Sequence, residues 1–258
     1  MSDLTSYISD DNRYYPLSDV AGREWKSFAM YTVENRAIPN MIDGLKPVQR
    51  FYLYSSIQNT KRDFKKVSAV SGIISDYGYN HGEGSAAGSG QLMAATWNNN
   101  ICLVEGRGSF GTRLIQDAGA PRYVYSKLSS NFEKYIKDVD LSPVHEDPEH
   151  EPPAFYLPVI PLVLVNGTKG IATGFATNIL PHCPNSIAEA CEEYIRTKKI
   201  KNNIDIKFPE FKTYYQDKGN WDDYEEKTVE YMNVTSKTYS ENNKKVVIKN
   251  KNRRVKFI

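Results

Sequence analysis

Residues 78–97, GYNHGEGSAAGSGQLMAATW, constrain the fold more than any other stretch. Glycines at 78, 82 and 84 make a turn, and Ser, Ala and Gly fill the chain from there to Gly90. A helix of such small residues buries little apolar surface of its own. Its use is close approach, either to another backbone or to a ligand such as a DNA groove.

The flanking sequence supplies partners. In KKVSAVSGIISDYGY, Val67, Val70, Ile74 and Tyr77 recur three and four apart, which predicts an amphipathic helix. Helix, glycine turn and small-residue helix resemble a helix-turn-helix, with a turn long for that motif. Upstream, 18–38 places Trp25, Phe28, Ala29 and Val33 at helical spacing, with Ser18 or Asp19 as caps. IPNMIDGLKP (38–47) reads as a loop, and Pro47 suits the first turn of a helix whose Val48, Phe51, Tyr52 and Ser55 share a face. Downstream, NICLVEG (100–106) predicts a strand, 107–121 a loop, and 123–136 a strand followed by a helix. DLSPVHEDPEHEPP (140–153) is a proline-rich acidic connector and the expected domain boundary. Residues 155–180 read as β structure around an Asn-Gly turn, and 184–199 as a helix capped by Asn185 or Ser186. The remainder, 200–258, alternates polar with apolar residues and reads as edge-rich β structure.

Bulk numbers exclude little. A net charge of +2 does not announce a nucleic-acid binder, although 244–258 carries seven Lys or Arg and no Asp or Glu. That run is either a phosphate contact or a solvated end. Cys102, Cys183 and Cys191 have no zinc spacing, and a sparse, odd set suggests a reducing compartment. The longest apolar run, VIPLVLV (159–165), is too short to span a bilayer, and residues 1–20 hold no apolar signal core. The expected location is the cytoplasm, with no membrane partner.

Several motifs compete for function. GRGSFG (106–111) matches the dinucleotide fingerprint and follows a strand, but TRLIQDAGAP breaks where that fingerprint needs a helix. No GxxxxGK[ST] phosphate loop occurs. HEDPEHE (145–151) offers imidazoles and carboxylates to a metal, or forms an exposed acidic loop. His81, among glycines, is either structural or a ligand contact. In GAPRYVY (119–125), Arg122 and Tyr123 stand together after a turn. Tyrosine, with an ordinary pKa of about 10, is a poor nucleophile unless cations stabilise the phenolate and the charge growing on a phosphate. Arg122, Arg50, Lys46 and His81 are candidates for that field, and the residues alone point to phosphodiester chemistry.

Four blocks taken in order resemble the breakage-and-reunion subunit of type IIA DNA topoisomerases. They are RAIPNMIDGLKPVQR (36–50), YNHGEGS (79–85), VEGRGSFGTR to APRYVYSKLS (104–129), and LPVIPLVLVNGTKGIATGFATNILPH (157–182). The resemblance covers about 20–200 and mixes bacterial-like with eukaryote-like features. It implies an α+β fold, with a winged-helix DNA-breakage domain over 1–154 and part of a β-rich tower domain over 155–258, ending before the family's coiled coil and exit gate. It implies that Tyr123 forms a 5′-phosphotyrosyl link to DNA and that Arg122 stabilises the scissile phosphate. His81 and Arg50 would act at the same phosphate, His81 also in proton transfer. Arg36 and Lys46 would hold nearby backbone phosphates, and Ile171 would be an intercalating wedge in bent DNA. Mg²⁺ would be held by a partner's Toprim domain and ATP by a partner subunit. The other expected partners are duplex DNA, a second copy of this chain and a separate chain bearing the exit gate. A DNA-binding protein that has lost catalysis is the alternative. Asn80 departs from the family pattern, which has a histidine there.

Overall fold

The computed structural model describes residues 17–60, 63–200 and 203–209, together with the backbone of three strands between 211 and 257. Its order up to residue 128 is that of a winged helix. Helix α3 (Pro47–Asn59) leads through the short strand β1 (Lys65–Lys66) into α4 (Val67–Gly72), and α5 (Glu83–Ala94) follows the glycine turn. Strands β2 (Val104–Arg107) and β3 (Tyr125–Leu128) then pair antiparallel, and β1 joins β3 to give the sheet order β1-β3-β2. The loop 108–124 between β2 and β3 is the wing.

Local chemistry sets the helix boundaries. Pro47 occupies the first turn of α3, where its missing N–H costs nothing, and Gln49 Oε1 accepts from Lys46 N at 2.8 Å. Phe51, Tyr52 and Ser55 are buried and Val48 is half-buried, the face expected from their spacing. The amphipathic segment after β1 is shorter than its pattern suggests. It stops at Gly72 and continues as a 3₁₀ turn, Ile74–Tyr77, closed by Gly78 in the left-handed region at φ 95°.

The small-residue helix meets a backbone-scale contact. Gly90 of α5 lies directly under the ring of Tyr52, leaving no room for a Cβ. Tyr52 is wholly buried, and its hydroxyl shares a 2.7 Å hydrogen bond with Ser126 on β3. Burial at that site pushes the phenol up to about 12. One buried aromatic therefore joins α3, α5 and the sheet.

Before this unit, α1 (Leu17–Val20) and α2 (Lys26–Thr32) run on through two π-helical turns, Ala21–Trp25 and Val33–Ala37. Ser18 and Asp19 both lie inside α1, where Ser18 Oγ donates to Asp19 Oδ1 at 3.4 Å.

After β3, Ser129 caps α6 (Ser130–Tyr135) by accepting from Asn131 N. The acidic connector folds back over the helix-turn-helix: Glu151 N donates to Tyr77 O, and the Glu149 carbonyl sits against Gly78. His145 and His150 stack at 3.8 Å, and His150 packs on Phe51 at 4.4 Å. The core crosses the connector without a break, since Tyr156, Leu162, Val165 and Ile187 join the same cluster as α3–α5.

The Asn-Gly pair at 166–167 is not a hairpin turn. Helix α7 (Leu162–Asn166) ends there, and Gly167 at φ 67° turns the chain into β4 (Thr168–Ile171). The hairpin turn lies at 172–175, before β5 (Ala176–Ile179), where Ala172 N donates to Phe175 O. Helix α8 (Pro184–Thr197) begins with Pro at its first position, so Cys183 occupies the cap expected of Asn185 or Ser186. Strands β6 (Phe211–Gln216), β7 (Tyr224–Val229) and β8 (Arg254–Phe257) form an antiparallel sheet ordered β7-β6-β8. Apart from the backbone of β8, the basic run from Lys244 lies outside the described residues.

Candidate DNA-cleavage site

Tyr123 stands at the base of the wing, two residues before β3, with 69% of its surface exposed. Its turn is fastened on both sides. Tyr123 N donates to Ala120 O, while Ser68 N and Val67 N, at the start of α4, donate to Pro121 O and Val124 O. From the other side Gln91 of α5 donates through Nε2 to Gly119 O at 2.6 Å. The helix-turn-helix thus holds the backbone of 119–124 and leaves the phenol exposed. The Arg122 guanidinium carbon lies 4.9 Å from the Tyr123 ring centroid, within cation–π range. The nucleophile candidate and the cation therefore meet in space as well as in sequence.

A second group gathers around the end of the N-terminal helical run. His81, ahead of α5, shares a 3.2 Å hydrogen bond with the Tyr31 hydroxyl through Nε2 and meets the Tyr79 ring edge-on at 5.3 Å. Partial burial, and then the positive charge of Arg36, hold the imidazole below its usual pKa of 6.5. Lys46 Nζ donates to Lys169 O on β4 at 2.7 Å, and burial lowers its pKa. Gly170 packs directly on the Ala37 carbonyl, with Lys46 Nζ also near, so only a glycine fits between hairpin and helix end. Ile171 closes β4 at the hairpin tip, 78% exposed, beside exposed Phe175. Arg36, Lys46, His81 and Ile171 are thus brought to one neighbourhood. No hydrogen bond or ring contact joins this group to Arg122–Tyr123 among the described residues.

Arg50 is buried. It is 4% exposed and donates to Asp43 through Nε at 2.9 Å and Nη2 at 3.1 Å. A third bond goes to Leu45 O. Its position early on α3 points it into the core, because the Asp-Gly turn at 43–44 offers a buried carboxylate there. Arg50 holds the 43–45 turn through these bonds.

The glycine motif at 106–111 also resolves. Gly106 lies in β2, Gly108 and Gly111 have positive φ, and no helix follows. The glycines shape the wing, and the dinucleotide fingerprint lacks its helix. In the acidic connector, His145 accepts from Asp147 N and His150 bonds to Pro152 O, so both imidazoles serve the loop's own backbone. Sequence reasoning missed Tyr31, Tyr79, Asp43 and Phe175. Asp43 was visible as the Asp of the Asp-Gly turn; Tyr31 carried no local signal.

The winged helix thus presents a fastened Arg-Tyr pair at the base of its wing, with a basic and apolar cluster beside a β-hairpin. Comparison with known proteins gives the family of a chain built this way. The family model of the DNA gyrase/topoisomerase IV A subunit matches residues 36–251, and the chain belongs to this family. The DNA topoisomerase medium subunit of Enterobacteria phage T4 is 50% identical over 199 residues, 76% of this chain and 45% of that protein. DNA topoisomerase 2 of Bombyx mori is 38% identical over 203 residues, 75% of this chain and 13% of that protein. The crystal structure of the DNA-binding, cleavage and re-ligation domain of Plasmodium falciparum topoisomerase II matches with a TM-score of 0.67 and 32% identity, covering 78% of this chain and 28% of that one. The chain thus spans less than half the length of these relatives. The α+β reading and the type IIA resemblance both stand.

Proposed function

We propose that this chain makes and reseals breaks in duplex DNA as part of an ATP-dependent type II topoisomerase. The observation that carries the reading is the exposed Tyr123 phenol, held by a fastened turn beside Arg122. In the cleavage step the Tyr123 oxygen attacks a backbone phosphorus and the bond to the 3′-oxygen breaks. The phenolic proton ends on that 3′-oxygen, and the DNA 5′ end remains as a phosphotyrosyl ester. One phosphodiester replaces another, so the reverse attack reseals the strand without an external energy source.

Arg122 places its charge where negative charge develops on the phosphate. Arg36 and Lys46 lie along the flanking backbone, where Lys46 already has a fixed direction from its bond to Lys169 O. His81 faces the same phosphate region. Ile171, at an exposed hairpin tip, has the position and chemistry of a wedge between base steps. Two such tyrosines, from two copies of the chain, would cut both strands.

The family's Mg²⁺ finds no cluster of ligands among the described residues. Among the described residues no group of three or more His, Cys, Asp or Glu is placed to hold a metal ion. The metal belongs instead on a partner bearing Toprim carboxylates. ATP would be bound by that partner as well. The breakage domain and tower divide at residue 154, with one hydrophobic core continuing across the connector. No helix among the described residues is long and apolar enough to cross a membrane.

The test is covalent trapping. The chain and its ATPase–Toprim partner are incubated with end-labelled duplex and Mg²⁺, then quenched with detergent. A 5′-linked adduct that disappears in Tyr123→Phe is expected. An adduct that survives that substitution would sink the proposal, and DNA binding with no adduct in the wild type would favour an inactive DNA-binding protein.

A further inference from the structure

We propose that Tyr31 is a positioning residue for His81, its phenol donating to Nε2 so that the ring presents Nδ1–H to a DNA phosphate. The phosphate rests on the function proposed above; the ring geometry does not.

Tyr31 comes from the N-terminal helical run, fifty positions from His81 in sequence, yet its hydroxyl lies 3.2 Å from Nε2. The two ring centroids are 6.1 Å apart. On its other side the imidazole meets Tyr79, which in turn packs on Phe51 at 5.2 Å. The groups facing His81 are therefore Tyr31, Tyr79 and the charge of Arg36. The π-helical turn Val33–Ala37 begins just after Tyr31 and contains Arg36, so one short segment places both groups that act on the imidazole.

A ring kept from protonation by its surroundings has one N–H and one bare nitrogen. Of the two partners in the 3.2 Å bond, the phenol is the stronger acid and a bare imidazole nitrogen the stronger acceptor. Tyr31 therefore donates and Nε2 accepts, which leaves the proton on Nδ1. Nδ1 has no protein hydrogen-bond partner among the described residues. A neutral ring in this tautomer gives a hydrogen bond to a phosphate oxygen. It has no vacant nitrogen with which to take the Tyr123 proton, so His81 is a phosphate donor and not the base of the cleavage step.

The tautomer is read directly from long-range proton–nitrogen correlations on DNA-free protein labelled with ¹⁵N-histidine. The chain has four histidines, and His81→Gln identifies the signal. The expected pattern at pH 7.5 is Nδ1–H in the wild type, moving toward Nε2–H in Tyr31→Phe. Tyr31 is 43% exposed, and phenylalanine keeps its ring, so the variant retains the fold. A wild-type Nε2–H pattern, or a Tyr31→Phe spectrum identical to wild type, overturns the proposal. With the partner present, Tyr31→Phe should slow adduct formation about three- to tenfold, the worth of one ordinary hydrogen bond. An unchanged rate overturns the positioning role. Absence of any wild-type adduct would instead overturn the cleavage function and leave the tautomer result intact.

Discussion

Asp43 and Arg50 form an ion pair sealed from solvent, with Nε to Oδ2 at 2.9 Å and side chains 0% and 5% exposed. Asp43 also accepts from the backbone N–H of Leu45 and of Tyr156, so one carboxylate ties the 43–45 turn, helix α3 and the chain beyond the connector. Replacing either partner leaves the other charged and buried. Arg50→Leu and Asp43→Asn should each cost about 3–5 kcal/mol of folding free energy, measured by urea denaturation. A cost below about 1 kcal/mol would mean that the pair is not sealed as described.

Arg122 has the opposite character. It is exposed and its turn is held by backbone bonds, so Arg122→Ala should change stability by no more than about 0.5 kcal/mol. Adduct formation should fall by about 10²–10³-fold, the usual cost of removing a donor aimed at developing phosphate charge. Single-turnover cleavage and thermal melting of the same preparation separate the two effects. A slow variant that also melts early would assign Arg122 to the fold instead.

Gly90→Ala tests the contact between α5 and α3. The new methyl would fall within the Tyr52 ring, which is fully buried and tied to Ser126. Alanine favours helices, yet here overpacking should dominate and cost about 1–3 kcal/mol. Gly88→Ala on the same helix meets open space and should be neutral or stabilising. Equal effects of the two substitutions in denaturant titrations would contradict the packing.

Stability should fall in mild acid. Burial, with Arg36, lowers the pKa of His81, and burial, with His145, lowers that of His150. The folded chain thus binds protons less readily than the unfolded chain at both rings. Their contribution is complete above the unfolded value of 6.5 and is lost as pH drops through it toward the lower folded values. Urea midpoints at pH 7.5 and 5.5 should differ, and His81→Gln with His150→Gln should shrink the difference. An undiminished difference would place the acid sensitivity elsewhere.

Local signals in the sequence identified local structure well. Pro47 marked the start of α3, the glycines at 78–84 marked the turn before α5, and the Gly-Ala-Pro turn marked the Arg-Tyr pair. The misreadings have physical causes. Asn-Gly at 166–167 resembles a hairpin turn, but the apolar run before it closes as a short helix, and the glycine's positive φ serves a helix end equally well. Arg50 resembled a free cation because its carboxylate partner sits seven residues back across a turn. Tyr31 was invisible because its significance depends on a residue fifty positions away. Side-chain pairing across such separations follows from tertiary packing, which no spacing rule contains.

The bond from Lys46 to the Lys169 carbonyl leaves an ammonium oriented by a dipole and, among the described residues, neutralised by no carboxylate. Partial burial leaves the cation poorly solvated, and its lowered pKa records that discomfort. An arriving anion therefore has no resident counter-ion to displace from the protein and relieves a charge the fold itself leaves wanting. The lysine should hold its proton more tightly once the anion is seated, so that occupancy of the site and proton affinity rise together.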